Sequence, residues 1–223
     1  MTRARGRALL LDLDGTLLDT APDMAAALNA LRRECGLPEL AFATVRPQVS
    51  HGAAALVRLG FPEARDAEFE ALRRRFLDLY RGALVTHTRL FPGFDAVLDS
   101  LAARAVPWGI VTNKPGWLTE PLVAALGLAA RAACVVSGDT LAERKPHPAQ
   151  LLHAAAVLGI EPRACVYAGD AERDIIAGRA AGMRTVAARF GYLAPGEDPA
   201  AWQPDGIAER PDDLLDWIDG IQR

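Results

Sequence analysis

The second part of the chain alternates between short apolar runs and segments with helical spacing. The apolar runs are "VPWGIVT" (106–112), "ACVVSG" (133–138), "ACVYAGD" (164–170) and "RTVAAR" (184–189), and the helix-like segments are 93–104, 116–127, 148–158 and 172–181. A further continuous apolar run lies at residues 7–12. Continuous apolar strands that alternate with helices are typical of a parallel sheet with both faces covered. The pattern therefore predicts an α/β fold with a doubly wound, Rossmann-like parallel sheet.

A helical segment interrupts this alternation near the N-terminus. From about Pro22 to Arg81 the apolar residues recur with helical spacing, and we find no convincing strand. Pro22 favours a helix start and Gly36 a helix end. We expect an all-helical cap at residues 17–83, inserted into an α/β core formed by residues 1–16 and 84–223.

Charge and composition exclude several classes of partner. The formal charge of −3 on 223 residues offers no long-range attraction for nucleic acid or an anionic membrane. No uncharged apolar run approaches the roughly 20 residues that span a bilayer, and Asp12 interrupts the first apolar run too early for a secretory signal. The three cysteines fit no zinc or disulfide pattern, which favours buried free thiols and a cytoplasmic location.

Polar residues stand where the predicted strands end. These positions are Asp12-Leu13-Asp14-Gly15-Thr16 after the first strand, Thr112-Asn113-Lys114 after the second, Lys145-Pro146 in the loop beyond the third, and Asp170 after the fourth, with Asp174 one helical turn later. Ligands of open parallel sheets bind at this edge. Two aspartates side by side repel each other unless a cation or a reaction uses them. Each residue alone has a plainer interpretation, such as a helix cap or a turn, but together they predict a functional site.

Lysine usage points to the same loops. Of 25 basic residues only Lys114 and Lys145 are lysines, and both lie at the predicted edge. The wide, planar guanidinium of arginine is not isosteric with the compact ammonium group of lysine. We interpret Lys145 as functional, whereas Lys114 is either functional or an ordinary loop residue.

The stretches "DLDGTLLDT", "VTNK", "RKPHP" and "GDAERDI" resemble, in this order, the four motifs of the haloacid dehalogenase superfamily. The resemblance covers essentially the whole chain, and the segment between the first two motifs is similar to the helical cap of phosphoglycolate-phosphatase-like members. It implies that Asp12 is the nucleophile and Asp14 the general acid and base. It also implies that Asp12, the main-chain carbonyl of Asp14, and Asp170 bind Mg²⁺.

The resemblance assigns the remaining motif residues to the phosphate. Thr112 and the Asn113 backbone would hold phosphate oxygens, and Lys145 would balance the charge of Asp12 and the phosphate. Asp174 would support Lys145 or a metal-bound water. The chain departs from many relatives at Ala171, where they carry Ser or Thr, so one outer hydrogen bond is missing.

The chemistry of a phosphate ester explains why such groups are needed. The dianionic ester repels a carboxylate nucleophile, and Mg²⁺ removes that repulsion while preferring oxygen ligands. In the cap, the stretch "RPQVSHGAA" (46–54) matches a substrate-facing loop, which makes Ser50, His51 and the Gly52 amide candidate substrate contacts and Arg46 a weaker one. The alternative is a helix N-cap with surface side chains.

Two substrates fit the resemblance. The overall pattern is similar to phosphoglycolate phosphatases, which act on 2-phosphoglycolate. The stretches "DTAPD", "VSHGA", "FEALRRRFLDLY" and "VTNKPGWLTEPL" are also similar to the branch that dephosphorylates N-acetylmuramic acid 6-phosphate. A sugar-phosphate mutase and a phospho-receiver domain are the remaining alternatives, although a receiver needs only about 120 residues and carries its phosphoacceptor after the third strand. The sequence predicts a small phosphate ester as the binding partner. It does not reveal the oligomeric state.

Overall fold

The computed structural model describes residues 6–220 of the chain. Its strands are β1 (Ala8–Leu11), β2 (Leu18–Asp19), β3 (Arg89–Leu90), β4 (Trp108–Val111), β5 (Cys134–Val136), β6 (Cys165–Gly169), β7 (Arg184–Ala188) and β8 (Gly206–Ala208). Its α-helices are α1 (Ala21–Glu34), α2 (Phe42–Val45), α3 (Gly52–Gly60), α4 (Asp66–Arg81), α5 (Phe94–Ala103), α6 (Gly116–Ala125), α7 (Ala149–Leu158), α8 (Glu172–Ala180) and α9 (Asp213–Gly220).

Six of the strands form one parallel sheet in the order β5-β4-β1-β6-β7-β8. The central strand β1 pairs Leu9 with Trp108 on one side and with Val166 on the other. All four β1 residues are fully buried, because successive side chains enter the two apolar clusters on opposite faces of the sheet. The predicted α/β fold with a doubly wound parallel sheet is confirmed.

Helices α1 to α4 fill the segment that the sequence assigned to a helical cap. Helix α1 carries Pro22 in its first turn and ends just before Gly36, as predicted. It packs against α4, and the buried side chains of Leu28, Phe76 and Tyr80 join the larger apolar cluster. The boundaries at residues 17 and 83 stay a prediction.

Short elements escaped the sequence analysis. The two-residue strand β2 pairs antiparallel with β3, so the ends of the helical segment are joined by a small ribbon. Strand β8 extends the sheet beyond β7, and α9 follows it. Two or three residues are too few to show an alternating pattern, so pairing with a neighbouring strand defines these strands.

Two further observations concern the cysteines and the predicted absence of a membrane span. The structure contains free cysteines that differ in burial: Cys165 is buried and Cys134 partly buried, but Cys35 is exposed, so the expectation of buried thiols is wrong for Cys35. It lies just beyond the end of α1, outside the core. Within residues 6–220, no helix combines the length and apolar character that a membrane span requires.

Candidate active site

The predicted catalytic positions follow three strands of the parallel sheet. Asp12 follows β1 and its amide donates to the Ala168 carbonyl at 2.9 Å, while Thr112 follows β4 and donates to the Val136 carbonyl at 2.9 Å. Asp170 follows β6 directly. These backbone bonds continue the strand pairing and bring the three residues to one edge of the sheet, where all three are buried.

Three buried carboxylates cluster at this edge. Asp12, Asp170 and Asp174 each offer an oxygen within 4.8 Å of the others. Burial, together with the charges on Asp12 and Asp174, raises the pKa of Asp170 to about 7. Burial also raises the pKa of Asp12. Buried like charges are stabilised by a cation, and an all-oxygen set suits a hard divalent ion.

The backbone around Asp170 is shaped to fit this cluster. Gly15 has a φ of +86°, and a Cβ atom there would lie 2.1 Å from Asp170 Oδ2. A Cβ at Gly191 would lie 2.3 Å from the Asp170 Cβ. The absence of both side chains lets two loops close around the carboxylate. The described residues therefore form a cluster of carboxylate oxygens that could bind a metal ion.

Lys145 places a positive charge beside the carboxylate cluster. Its fully buried Nζ lies 2.9 Å from Asp12 Oδ1 and 2.7 Å from Asp174 Oδ1, and it also donates to the Tyr167 hydroxyl at 2.7 Å. Although burial opposes the change, the charge of Lys145 lowers the pKa of Asp174. The side-chain amide of Asn113 fixes the lysine loop, donating to the Lys145 carbonyl at 2.9 Å and accepting from its amide at 3.1 Å.

Asp14 has different partners from the three clustered carboxylates. Its Oδ1 accepts from Thr20 Oγ1 at 2.7 Å and from Lys114 Nζ at 2.8 Å. Lys114 also donates to the Tyr80 hydroxyl at 3.0 Å. Although burial opposes the change, the charge of Asp14 raises the pKa of Lys114. Lys114, which the sequence left open, therefore belongs to the site.

Tyr80 of α4 is a site residue that the sequence analysis missed. It fits the apolar helical pattern of its segment, so the sequence carries no signal for its hydroxyl contact. Burial raises the pKa of Tyr80 to about 12, which keeps the phenol neutral. Helix α4 thus contacts the edge of the sheet through a hydrogen bond to Lys114.

The short 3₁₀-helix Arg46–His51, which we call the cap loop because the sequence predicts a substrate-facing loop there, contacts the same edge. Ser50 Oγ donates to Asp170 Oδ2 at 2.6 Å, and the Ser50 carbonyl accepts from Arg173 Nη2 at 2.6 Å. His51 is exposed and occupies the N-cap of α3 without a side-chain capping bond, as in the helix-cap alternative, whereas Ser50 contacts the carboxylate cluster. Arg46 points elsewhere: its guanidinium lies 4.9 Å from the centre of the Tyr192 ring.

A cleft of about 650 Å³ separates the helical segment from the sheet edge. It is lined by the candidate residues Asp12, Asp14, Ser50, His51, Gly52, Thr112 and Asn113, and by the cations Arg73, Arg74, Lys114, Arg144 and Arg173. The structure therefore places the predicted cap residues and the predicted core residues around one cavity. Lys145, Asp170 and Asp174 lie behind its wall, in contact with Asp12 or with Ser50.

Comparison with known proteins agrees with this arrangement. The profile of the family described as haloacid dehalogenase-like hydrolase matches residues 9–188. A phosphoglycolate phosphatase of Xanthomonas campestris pv. campestris (strain 8004) is 49% identical over 208 residues, which cover 93% of this chain and 94% of the relative. An N-acetylmuramic acid 6-phosphate phosphatase of Pseudomonas aeruginosa is 42% identical over 220 residues, covering 98% and 97%.

Solved structures give the same result. The crystal structure of a predicted phosphoglycolate phosphatase from Haemophilus somnus 129pt superposes with a TM-score of 0.85 at 29% identity, covering 97% of this chain and 99% of that one. The resemblance drawn from the four motifs is thereby confirmed. The chain belongs to the haloacid dehalogenase-like hydrolase family.

Proposed function

We propose that this protein is a Mg²⁺-dependent phosphatase that cleaves a small carboxylated phosphate monoester through an aspartyl-phosphate intermediate, with 2-phosphoglycolate as substrate. The observation that carries the proposal is the setting of Asp12: a buried carboxylate that lines the cleft, 2.9 Å from the ammonium of Lys145 and beside the carboxylates of Asp170 and Asp174. The relatives at 43–49% identity that are named phosphoglycolate phosphatase support the same activity.

In the first half-reaction, a carboxylate oxygen of Asp12 attacks phosphorus as the bond to the ester oxygen breaks. Asp14 gives a proton to the departing alcohol. The Thr112 hydroxyl oxygen accepts a hydrogen bond from the Lys114 backbone amide at 3.1 Å. The hydroxyl proton of Thr112 is therefore free to be donated to a phosphate oxygen. The Asn113 backbone amide and the Lys145 ammonium stabilise the remaining negative charge on the phosphoryl group.

In the second half-reaction, water attacks the phosphorus of the acyl phosphate, and Asp14 takes the proton from that water. The phosphorus–oxygen bond to Asp12 breaks, which releases inorganic phosphate and restores the carboxylate. Asp14 is held through Oδ1 alone, and no donor within residues 6–220 occupies Oδ2, which remains for proton transfer. Mg²⁺ held by Asp12, Asp170 and the Asp14 carbonyl would supply the charge that lets a dianionic ester approach Asp12.

The size of the cleft favours a second candidate substrate, N-acetylmuramic acid 6-phosphate. Pockets of roughly 300–1,000 Å³ enclose drug-sized ligands, and the cleft of about 650 Å³ falls within that range. The relative with that name also matches over 98% of this chain. Both candidate substrates carry a carboxylate, and Ser50, His51 and the Gly52 amide are the proposed contacts on the cap side. The free cysteines favour action in the cytoplasm.

Steady-state kinetics on both esters tests the proposal. We expect Mg²⁺-dependent release of phosphate over many turnovers, loss of activity in EDTA, and a higher kcat/KM for the true substrate. Asp12→Asn should abolish turnover while leaving the thermal unfolding midpoint within a few degrees of wild type. Full activity of Asp12→Asn, or equal activity after chelation, would contradict the mechanism. Slow phosphate release with fast isomerisation of a sugar phosphate would identify a mutase instead.

A further inference from the structure

Arg173 is a cation of the site to which the sequence analysis gave no role. It lies in the first turn of α8, three residues after Asp170, and its side chain lines the cleft together with Asp12 and Thr112. It is partly buried, and the carboxylates of Asp174 and Asp12 raise its pKa against the effect of burial. The guanidinium therefore keeps its charge beside the reacting groups.

The hydrogen bonding of Arg173 is incomplete. Nη2 donates to the Ser50 carbonyl, but Nε is buried and has no partner in the part of the chain that the structure describes. A buried donor without an acceptor costs free energy, and most such groups in native proteins are satisfied by a protein atom, water or ligand. Nε of Arg173 is therefore available to an acceptor of a bound ligand.

Among the described residues Arg173 forms no direct ion pair, unlike the two lysines, although the nearby carboxylates of Asp174 and Asp12 stabilise its charge at longer range. Lys145 forms ion pairs with Asp12 and Asp174, and Lys114 forms one with Asp14. Among residues 6–220, no carboxylate oxygen lies within the 4.0 Å ion-pair distance of Arg173. An arginine with a free N–H donor and no direct ion pair is suited to bind an anion through several of its N–H groups.

We propose that Arg173 is a substrate-binding residue whose guanidinium donates to the phosphoryl oxygens of the ester. The phosphate is the anion that the position favours, because Arg173 follows Asp170 by three residues and lines the same cleft as Asp12 and Thr112. Arg173 also donates a hydrogen bond to the Ser50 carbonyl of the cap loop. The same guanidinium would therefore bind the phosphate and hold the cap loop in position. This inference rests on the proposed phosphatase function.

Calorimetric titration with inorganic phosphate at saturating Mg²⁺ tests the assignment without turnover. Arg173→Gln should bind phosphate about 10-fold or more weakly than wild type, as expected for the loss of a hydrogen bond to a charged group. Arg173→Lys should recover only part of the loss, because one ammonium does not reproduce the planar fork. Arg163→Gln is the matched control: its side chain is 84% exposed, and its phosphate affinity should equal that of wild type.

Two results would overturn the assignment. Phosphate affinity of Arg173→Gln within twofold of wild type would mean that Arg173 serves another part of the substrate. An equal loss of phosphate affinity in Arg163→Gln would mean that the effect comes from the net charge of the protein and not from contact with Arg173. Thermal unfolding midpoints verify that each variant is folded. Arg173-dependent phosphate binding without turnover of any ester would refute the proposed function alone, whereas turnover with unchanged phosphate affinity would refute this inference alone.

Discussion

Replacing Gly15 by alanine measures how tightly the first motif closes on the carboxylate cluster. Gly15 has a φ of +86°, a conformation that costs an L-residue about 1–2 kcal/mol. The new Cβ would also lie 2.1 Å from Asp170 Oδ2 and 2.8 Å from Tyr192 Cδ2. Forcing an extra carbon into a packed site typically costs about 1–3 kcal/mol. The two effects together predict a loss of about 2–5 kcal/mol in the free energy of unfolding.

Gly159→Ala provides the matched control for this measurement. Gly159 also has a positive φ, +66°, but a Cβ there would meet nothing within 4 Å. Backbone strain and the reduced entropy of the unfolded chain affect both variants alike. The difference between them, about 1–3 kcal/mol, therefore reports the clash alone.

Urea unfolding in EDTA gives both free energies without a contribution from bound metal. Phosphate release at saturating Mg²⁺ gives the functional effect: we expect Gly15→Ala to lose most activity, because Asp170 is displaced, and Gly159→Ala to retain it. The reasoning is refuted if the two variants lose equal stability, or if Gly15→Ala keeps wild-type activity.

Two further predictions concern buried charges. Lys145→Met leaves the carboxylates of Asp12 and Asp174 without their cation and should cost about 3–5 kcal/mol of unfolding free energy, as for other broken buried ion pairs; a loss below about 1 kcal/mol in urea unfolding would contradict this. In EDTA, the pKa of Asp170, raised from 3.8 to about 7, means that the folded protein holds this proton more tightly than the unfolded chain. The contribution of Asp170 to stability is therefore fully present below about pH 4 and is lost as the pH rises through about 7. Asp170→Asn should flatten the stability curve in that window, and an unchanged slope would disprove the assignment.

Much of the fold could be predicted because its signals are local. The run "ACVYAGD" predicts a strand at 164–170, and β6 occupies Cys165–Gly169 with Asp170 directly after it. Strand β8 could not be predicted in the same way, because its three residues form a strand only by pairing with β7. The rarity of lysine drew attention to Lys114, but its partners could not be inferred from the sequence.

The positions of the strand ends along the chain were enough to predict which polar groups would meet at the edge of the sheet. Parallel strands run in one direction, so the residues that end them are neighbours wherever the chain between them goes. The pairing of those groups, in contrast, follows from the folded arrangement of the chain. Asp14 contacts Lys114, 100 residues away, and Ser50 contacts Asp170, 120 residues away. The Ser50 contact depends on how the helices of residues 21–81 pack over the sheet, and that packing is set by the burial of many side chains at once rather than by any local pattern.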